Sequence, residues 1–253
     1  MRPVLIGAGR GSRLEHRTEE IPKTLVPVMG RPMLDWILDA LGEAGFTKKD
    51  VIFVCGYRAD VLRARYPELT YVENTDWENN NILASLLYAR EHLGAGFVSS
   101  YTDIVYRGSA VRDLVASPSD WSKVLVCDTD WRRRYVHRNN HPESDAEKML
   151  AEGSRVTDIS RVIASEQASG EFIGVARFDA DGARELVEAY DEAKATCPTL
   201  GDRPFPKAYL IHLFQRMIQR GSTFHRVDTH GGYMELDTLE DLEMASTWWA
   251  GGS

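Results

Sequence analysis

The sequence Gly7-Ala8-Gly9-Arg10-Gly11-Ser12-Arg13-Leu14 follows directly on an apolar run from Pro3 to Ile6. The apolar run predicts a buried strand. A glycine-rich turn after such a strand lets the backbone approach a polyphosphate closely, because glycine lacks a Cβ and successive N–H groups can point inward. The stretch therefore predicts the first strand of an α/β fold and a phosphate-binding loop at its end.

Two common nucleotide loops do not match this stretch. A P-loop requires glycine, four residues and then Gly-Lys-Ser/Thr, a string that the sequence lacks. The dinucleotide fingerprint requires a third glycine at the position of Ser12. Instead, the loop carries Arg13 and is followed by Pro22-Lys23. Two cations that converge on a triphosphate offset its charge, which is the main task in phosphoryl-type transfer.

Short β-branched runs alternate with amphipathic stretches along the first half of the chain, which predicts helices on both faces of a mostly parallel sheet. The predicted strands are Pro3 to Ile6, Val51 to Cys55, Tyr71 to Glu73, Phe97 to Tyr101 and Val124 to Cys127, with helices at Leu34 to Ala44, Asp60 to Arg65 and Ile82 to His92. A polar, arginine-rich loop follows from about Asp128. Later elements predict a small antiparallel elaboration, with strands at Val156 to Ile159 and Phe172 to Phe178, helices at Ala180 to Ala195 and Lys207 to Arg220, a strand pair at Phe224 to Val227 and Tyr233 to Leu236, and a last helix from Leu239.

The loop, Pro22-Lys23, Asn80-Asn81-Ile82 and the late Met234-Glu235-Leu236-Asp237-Thr238 together resemble a known family. It is the family of nucleotidyltransferases that activate sugar phosphates, phosphocholine and phosphonates with CTP, UTP or dTTP, with the signature Gly-x-Gly-x-Arg and a later Pro-Lys. The resemblance covers nearly the whole chain. It implies one Rossmann-like, glycosyltransferase-A-like domain over residues 1–253, with Arg13 and Lys23 as catalytic residues.

The resemblance also implies a magnesium site at Asp103 and Asp237. Each residue follows a predicted strand, and carboxylates at strand ends face the ligand crevice of an open α/β sheet. Magnesium prefers oxygen ligands and is usually held by one or two carboxylates together with substrate phosphates. The alternatives are a turn or cap role for Asp103 and the N-cap of the last helix for Asp237, a cap position for which Thr238 competes.

The nucleotide is expected against the loop and the start of a helix, where asparagine and serine can read both the donor and the acceptor edges of a pyrimidine. The residues implied are Ala8, Gly9, Gly11, Asn80, Asn81 and Ser85, although Asn80 alone reads as easily as a helix cap. The late motif and the short chain resemble the choline-phosphate and phosphonate branch. CTP is therefore the expected nucleotide.

An arginine-rich insertion at about residues 129–150 is expected on the acceptor side. The guanidinium of arginine forms bidentate hydrogen bonds to phosphonate and carboxylate oxygens, whereas the quaternary ammonium of phosphocholine is typically bound by an aromatic cage with a carboxylate. The predicted acceptor-binding residues are Arg132, Arg133, Arg134, Arg138, His141 and Lys148. The insertion thus favours an acceptor more anionic than phosphocholine, with a phosphono-carboxylate preferred. The alternatives are an exposed basic loop offset by nearby acids, or a dimer contact.

The composition limits the partners. A net charge of −8 argues against general nucleic-acid binding, and the longest apolar runs are far shorter than the roughly 20 residues of a membrane span. The start of the chain has no secretory-signal pattern, so a cytoplasmic location is expected. A homodimer remains open.

The predicted reaction joins CTP to a small anionic phosphonate or phosphate monoester and releases pyrophosphate, by direct in-line attack of the acceptor oxygen. The first rival is a sugar-1-phosphate transferase that uses UTP or dTTP. Another is a non-catalytic regulatory module. A third is a glycosyltransferase that would use Asp128-Thr129-Asp130.

Overall fold

The computed structural model of the protein describes residues 1–136 and 138–250, so that His137 of the predicted insertion and residues 251–253 lie outside it. The strands, in chain order, are β1 (Arg2–Ile6), β2 (Pro27–Val28), β3 (Arg31–Pro32), β4 (Ile52–Cys55), β5 (Thr70–Glu73), β6 (Phe97–Tyr101), β7 (Ile104–Tyr106), β8 (Lys123–Asp128), β9 (Lys148–Glu152), β10 (Arg155–Ser160), β11 (Gly170–Phe178), β12 (Thr199–Leu200), β13 (Arg203–Pro204), β14 (Phe224–Thr229) and β15 (Tyr233–Glu235). The α-helices are α1 (Met33–Glu43), α2 (Ala59–Arg65), α3 (Ile82–Tyr88), α4 (Gly108–Val115), α5 (Ala180–Thr196), α6 (Leu210–Gln219) and α7 (Leu239–Ala250).

One central sheet has nine strands in the order β5-β4-β1-β6-β11-β8-β14-β10-β9. The neighbours from β5 to β6 run parallel, as do β8 and β14, whereas β11 runs antiparallel to both β6 and β8. β9 and β10 form a hairpin whose turn contains Gly153 in the left-handed region, and a hairpin can only join antiparallel strands. The predicted α/β fold is confirmed, with a sheet that is mixed rather than mostly parallel.

Helices cover both faces of this sheet, as predicted. Val4 and Ile6 of β1 pack into one core with α3, α5 and α6, whereas Leu5 packs into a second core with α1, α2 and α4. Successive side chains of a strand point to opposite faces, so a strand buried on both faces must be apolar throughout. This explains the continuous apolar run that precedes the glycine loop.

Two late strands differ from the expected pair. β14 joins the central sheet beside β8, and β15 pairs with the short β7 in a separate two-stranded sheet. β7 was not predicted, because a strand of three residues carries too little pattern to be recognised from the sequence. The β7–β15 pair is important for the site, since it joins the residues that follow β6 to those near the C-terminus.

The predicted insertion runs from the end of β8 to β9. It contains two short 3-10 turns, Trp131–Arg134 and Glu143–Asp145, and its apolar residues Trp131, Tyr135 and Ala146 form a small core. Across residues 1–136 and 138–250, no helix is long and apolar enough to cross a membrane. That residues 1–253 form a single domain stays a prediction.

Candidate active site

The glycine loop begins where β1 ends, and two of its glycines are required by close contacts. A Cβ on Gly7 would lie 2.4 Å from the Thr102 hydroxyl oxygen. Gly11 has a φ of +72°, and a Cβ there would lie 2.5 Å from Cδ of Lys23. The second glycine therefore gives the loop its left-handed turn and also lets the Lys23 side chain pass beneath it.

Lys23 connects the loop to both predicted metal aspartates. Its ammonium donates hydrogen bonds to Asp103, at 3.0 Å, and to Asp237. The Arg13 guanidinium lies 2.5 Å from the other carboxylate oxygen of Asp237. The structure thus brings together the two predicted catalytic residues and the two predicted metal ligands, although the sequence separates Lys23 from Asp237 by 214 positions.

The β7–β15 pair places the two aspartates side by side. Asp103 lies in the tight turn between β6 and β7, and its carbonyl accepts a hydrogen bond of 2.8 Å from the Leu236 N–H. Glu235 lies opposite Ile104 in the antiparallel register, so that the chain leaves β15 next to this turn. Asp237 is the second residue after β15 and therefore lies beside Asp103.

The charges at this point are tightly matched. The side chain of Asp237 is only 2% exposed, and burial alone would raise its pKa. The positive charges of Lys23 and Arg13 and the hydrogen bond from Lys23 outweigh burial and lower the pKa to about 2. Burial likewise acts to lower the pKa of Lys23, but the charges of Asp103 and Asp237 raise it well above its ordinary value. At neutral pH Lys23 and Asp237 are therefore both ionised.

Asp103 and Asp237 fit a hard divalent cation. Both carboxylates converge on one ammonium group, so their oxygens lie close enough to share one cation, and magnesium prefers such oxygen ligands. His141, Glu235 and Asp237 also bring one ligand atom each within 4.8 Å of one another. However, both ring nitrogens of His141 already have partners: Nδ1 lies 2.7 Å from the Arg138 guanidinium, and Nε2 lies 3.2 Å from the Glu235 carboxylate. The two aspartates are the better match.

A cavity of about 200 Å³ opens above the loop. It contains all six predicted nucleotide-binding residues in its wall, together with Arg13, Lys23 and both aspartates. Trp77 also lines it and was not predicted. The full lining is Ile6, Gly7, Ala8, Gly9, Gly11, Arg13, Lys23, Thr24, Trp77, Asn80, Asn81, Ile82, Ser85, Thr102, Asp103 and Asp237.

A buried amide orients the polar wall of this cavity. Asn74 follows β5, is fully buried, and exchanges hydrogen bonds of 2.8 and 3.0 Å with the Asn80 amide. Its amide also donates to the Ser85 hydroxyl at 2.9 Å. The cap of α3 is Asn81, whose side chain accepts from the Ile82 N–H, and not Asn80. Asn80 and Ser85 therefore form one hydrogen-bonded unit whose anchor, Asn74, was missed because only its place at a strand end could have indicated it.

A second cavity of about 140 Å³ adjoins the first and shares Arg13, Asn81, Ile82, Asp103 and Asp237 with it. Carboxylates and aromatic rings dominate the rest of its wall, which also contains one guanidinium. These residues are Tyr101, Asp145, Glu147, Arg161, Glu171, Phe172, Ile173, Tyr209, Tyr233 and Glu235. Because the two cavities meet at the paired aspartates, a molecule in each would present its reacting group to the same point.

Glu147 and Arg161 face each other in the second cavity. The Arg161 guanidinium lies 3.5 Å from the Glu147 carboxylate and stacks 4.1 Å from the centre of the Tyr209 ring. The Tyr101 hydroxyl donates to Glu147 at 3.1 Å. Burial raises the pKa of Glu147 to about 7, and the charge of Arg161 and the tyrosine hydrogen bond offset only part of this shift. The sequence alone does not single out either charged residue as part of a site.

Comparison with known proteins decides the family. Residues 3–173 match the model of the MobA-like NTP transferase domain. The chain belongs to this family. The resemblance drawn from the motifs is confirmed, and the protein is an enzyme of the nucleotidyltransferase class.

Similar proteins include several cytidylyltransferases. The CTP:phosphoglutamine cytidylyltransferase of Campylobacter jejuni is 23% identical over 96% of this chain and 98% of its own length. The 2-aminoethylphosphonate cytidylyltransferase of Lancefieldella rimae is 35% identical over 38% of this chain and 40% of its own length. The solved structure of CTP:phosphocholine cytidylyltransferase from Streptococcus pneumoniae has a TM-score of 0.72 at 22% identity, and the match covers 98% of this chain and 99% of that one. The last comparison shows the fold of this NTP transferase.

The arginine-rich insertion of the transferase departs from expectation. Among the residues that the structure describes, none of the six predicted acceptor-binding residues lines either cavity. Arg134 is buried between Asp128 and Glu171, with both of which it forms ion pairs. A buried guanidinium requires carboxylate partners nearby, so its fork is directed inward at the protein. The same contact engages Asp128, which therefore has a structural role in this transferase.

The other five predicted acceptor residues lie in different surroundings. Arg132 and Arg133 are exposed and lie within 4 Å of acidic side chains, Glu143 and Asp130 respectively. Lys148 is buried and donates to the Glu143 carbonyl at 3.4 Å. Arg138 and His141 are buried against each other behind Asp237. The charges of the insertion are matched internally, which corrects the expectation that they face the acceptor.

Proposed function

We propose that this NTP transferase is a cytidylyltransferase that joins CMP from CTP to a small acceptor with a phosphonate or phosphate group. One observation carries the proposal: the nucleotide-type cavity and the second cavity meet at Arg13, Asp103 and Asp237. The cytidylyltransferases among the similar proteins support the choice of CTP and of a phosphoryl acceptor. A non-catalytic module would have no need to keep Lys23 and both aspartates in contact.

In the proposed reaction, an acceptor phosphoryl oxygen attacks the α-phosphorus of CTP, and the bond to pyrophosphate breaks. Because the acceptor supplies the nucleophile, the enzyme needs no serine, cysteine or histidine nucleophile. Arg13 and Lys23 would offset the charge on the triphosphate and on the departing pyrophosphate. Both side chains line the first cavity and already lie against carboxylates, which positions them before substrate binds.

We assign magnesium to Asp103 and Asp237 as its protein ligands. Bound magnesium would neutralise charge on the phosphates and orient them for attack. The two residues differ in exposure, at 33% for the Asp103 side chain and 2% for Asp237. Asp237 is therefore the fixed member of the pair, and Asp103 is the member open to solvent and substrate.

For the acceptor, the second cavity favours a zwitterion. Glu147 and Asp145 offer carboxylates, and Tyr101 and Tyr209 offer aromatic faces, a combination that suits an ammonium group. Arg161 is the guanidinium of the same wall, and its buried Nε has no hydrogen-bond partner among the described residues. A carboxylate on the acceptor would accept a hydrogen bond from this nitrogen. The proposed acceptor thus carries a phosphoryl group at one end and an amino-acid group, ammonium plus carboxylate, at the other.

A panel of acceptors tests this proposal. Pyrophosphate release from CTP should be fastest with phosphorylated or phosphono amino acids, slower with 2-aminoethylphosphonate and phosphocholine, and slowest with glucose 1-phosphate. Substitution Arg161→Met should raise KM for the amino-acid acceptors by about 10- to 100-fold, because a charge-assisted hydrogen bond contributes about 1.5–3 kcal/mol. The same substitution should change KM for 2-aminoethylphosphonate by less than about threefold, since that molecule lacks a carboxylate.

Two outcomes of this panel would reject the proposed acceptor or the role of Arg161. Turnover confined to sugar phosphates would reject the zwitterionic acceptor in favour of the sugar-1-phosphate rival. An equal loss on all acceptors in Arg161→Met would mean that Arg161 maintains the cavity rather than reading the carboxylate. Arg155→Met provides a control, since Arg155 begins β10, the strand that ends just before Arg161, but is exposed and outside both cavities.

Acceptor binding should depend on the ionisation of Glu147. Since burial raises its pKa to about 7, the carboxyl is largely protonated at pH 6 and cannot offset an ammonium charge. The acceptor KM of the wild type should therefore rise as the pH falls from 8 to 6. In Glu147→Gln the KM should be high throughout. Titration of the acceptor phosphoryl group is common to both enzymes, so the ratio of the two KM values isolates Glu147. A ratio that stays constant with pH would remove this residue from acceptor binding.

The stability of the free enzyme should show the opposite trend. The folded state holds the Glu147 proton more tightly than the unfolded chain, whose carboxyl titrates near the ordinary value of 4.5. Stability is therefore lost as the pH rises from 4.5 through 7. Without acceptor, Glu147→Gln should have a higher Tm than the wild type at pH 8, and the difference should shrink at pH 5.

A further inference from the structure

A buried ion pair between the insertion and α7 lies directly behind the proposed metal ligand Asp237. The side chains of Arg138 and Asp241 are 1% and 0% exposed, and Nε of Arg138 donates to Oδ1 of Asp241 at 2.8 Å. Neither residue lines either of the two cavities described above. The role of this pair therefore depends on the neighbouring groups to which it forms hydrogen bonds.

Asp241 holds the backbone of the metal ligand. Its second carboxylate oxygen accepts hydrogen bonds of 2.9 Å from the N–H groups of both Asp237 and Thr238. In return, the Thr238 hydroxyl accepts from the Asp241 N–H at 3.3 Å. The two bonds between Thr238 and Asp241 form a capping box at the start of α7. The bond from the Asp237 N–H extends this box by one residue into the site.

Arg138 holds the other side of Asp237. While its Nε contacts Asp241, its terminal nitrogen donates to the carbonyl of Glu235 at 3.2 Å and to Nδ1 of His141 at 2.7 Å. One guanidinium thus bridges the end of β15, before Asp237, and the first turn of α7, after it. The metal ligand lies between two anchored points of backbone.

We propose that the Arg138–Asp241 pair is a positioning element that fixes the orientation of Asp237 for metal binding. This inference rests on the proposed function. Lys23 and Arg13 also contact the Asp237 carboxylate, but both are proposed to bind the triphosphate and so exchange that contact for phosphate during the reaction. The bonds from Arg138 and Asp241 to the backbone and to each other involve no substrate-binding group. They keep Asp237 in place throughout, and the insertion acts on the metal site instead of the acceptor.

The test removes the pair without leaving either charge alone. In Arg138→Met with Asp241→Ala, both charges disappear together, and apolar replacement of a buried ion pair is often neutral for folding. The matched control is Glu240→Gln. Glu240 precedes Asp241 on α7 and holds the same insertion through the N–H groups of Asn139 and Asn140, yet has no contact with Asp237 among the described residues. The measurements are Mn²⁺ binding by electron paramagnetic resonance, with and without CTP, followed by kcat, KM for CTP, and Tm.

Mn²⁺ affinity and kcat are expected to fall in the double variant, whereas KM for CTP is not. The double variant should bind Mn²⁺ about 10- to 100-fold more weakly and lose kcat by a similar factor, the range seen when partners of metal ligands are removed. Its KM for CTP should stay within about threefold of the wild type, and Glu240→Gln should match the wild type in Mn²⁺ affinity. Unchanged Mn²⁺ affinity in the folded double variant would overturn the proposal.

Two further outcomes stay informative. If the double variant does not fold, Arg138→Lys decides: it keeps the charge but cannot form the three-way bridge, so weaker Mn²⁺ binding at an unchanged Tm supports the proposal, and wild-type binding refutes it. A wild type that binds Mn²⁺ but releases no pyrophosphate would reject the proposed function. The comparison of Mn²⁺ affinities would still decide the role of the pair.

Discussion

Substitution of Lys23 by methionine is expected to lower kcat with CTP by about 10²- to 10³-fold, the loss seen when one preorganised donor to a developing negative charge is removed. Lys23 lies in the wall of the nucleotide cavity and contacts both aspartates, so methionine removes the charge while keeping a stem of similar size above Gly11. Steady-state pyrophosphate release gives the rate. Tm should fall only slightly, because Asp237 keeps its contact with Arg13.

Lys123 provides the matched control for this substitution. It is also a buried lysine in contact with a carboxylate, that of Glu185, but it lies outside both cavities. Lys123→Met should therefore reduce stability without changing kcat by more than about twofold. If Lys23→Met kept near-normal turnover, Lys23 would have no part in the reaction and the glycine loop would lose its proposed role.

Substitution of Asp237 by asparagine is expected to have an effect at least as large. A bound metal supplies several kcal/mol of transition-state stabilisation, and every ~1.4 kcal/mol is a factor of ten, so the loss in kcat should be about 10³-fold. The amide cannot replace the buried carboxylate that meets Lys23 and Arg13. Titration of activity with Mg²⁺ should show a higher requirement, in addition to the lower maximum.

Asp130→Asn separates this account from the glycosyltransferase rival. That rival would place its metal at Asp128-Thr129-Asp130, whereas the structure has Asp128 buried against Arg134 and Asp130 outside both cavities. The substitution at Asp130 should leave the Mg²⁺ dependence unchanged. A large loss of activity in Asp130→Asn together with normal activity in Asp237→Asn would place the metal at the end of β8. That result would favour the glycosyltransferase and reject the proposed metal site at Asp103 and Asp237.

The loop residues that line the first cavity could be predicted from the sequence because their signals are local. Gly7, Gly11 and Arg13 lie within one short stretch of the chain, and the close contacts around both glycines show why no other residue fits there. The paired aspartates could be predicted only through family resemblance. Their contact depends on the pairing of β7 with β15, a long-range register that three-residue strands do not reveal.

The proposed acceptor half could not be predicted, because charge in a sequence does not show which way a side chain points. The insertion is rich in arginine, yet Arg134 and Arg138 face inward to buried carboxylates that come from distant segments. Glu147 is one of several charged residues between positions 143 and 148, and Arg161 follows a short strand, so no local pattern distinguishes either residue. Only the packing of β9, β10 and α6 brings them into the cavity. The sequence of the insertion favours an anionic acceptor, whereas the lining of the second cavity favours a zwitterionic one.

The most direct test of the central claim follows the α-phosphorus of CTP. With α-³²P-labelled CTP, magnesium and a phosphorylated amino acid, this account predicts that the label enters an acceptor–CMP adduct while pyrophosphate appears in equal amount. The same label should stay in CTP when Asp237→Asn replaces the wild type. Label recovered only as free CMP, or an absence of adduct with each of the four nucleoside triphosphates across the acceptor panel, would contradict it.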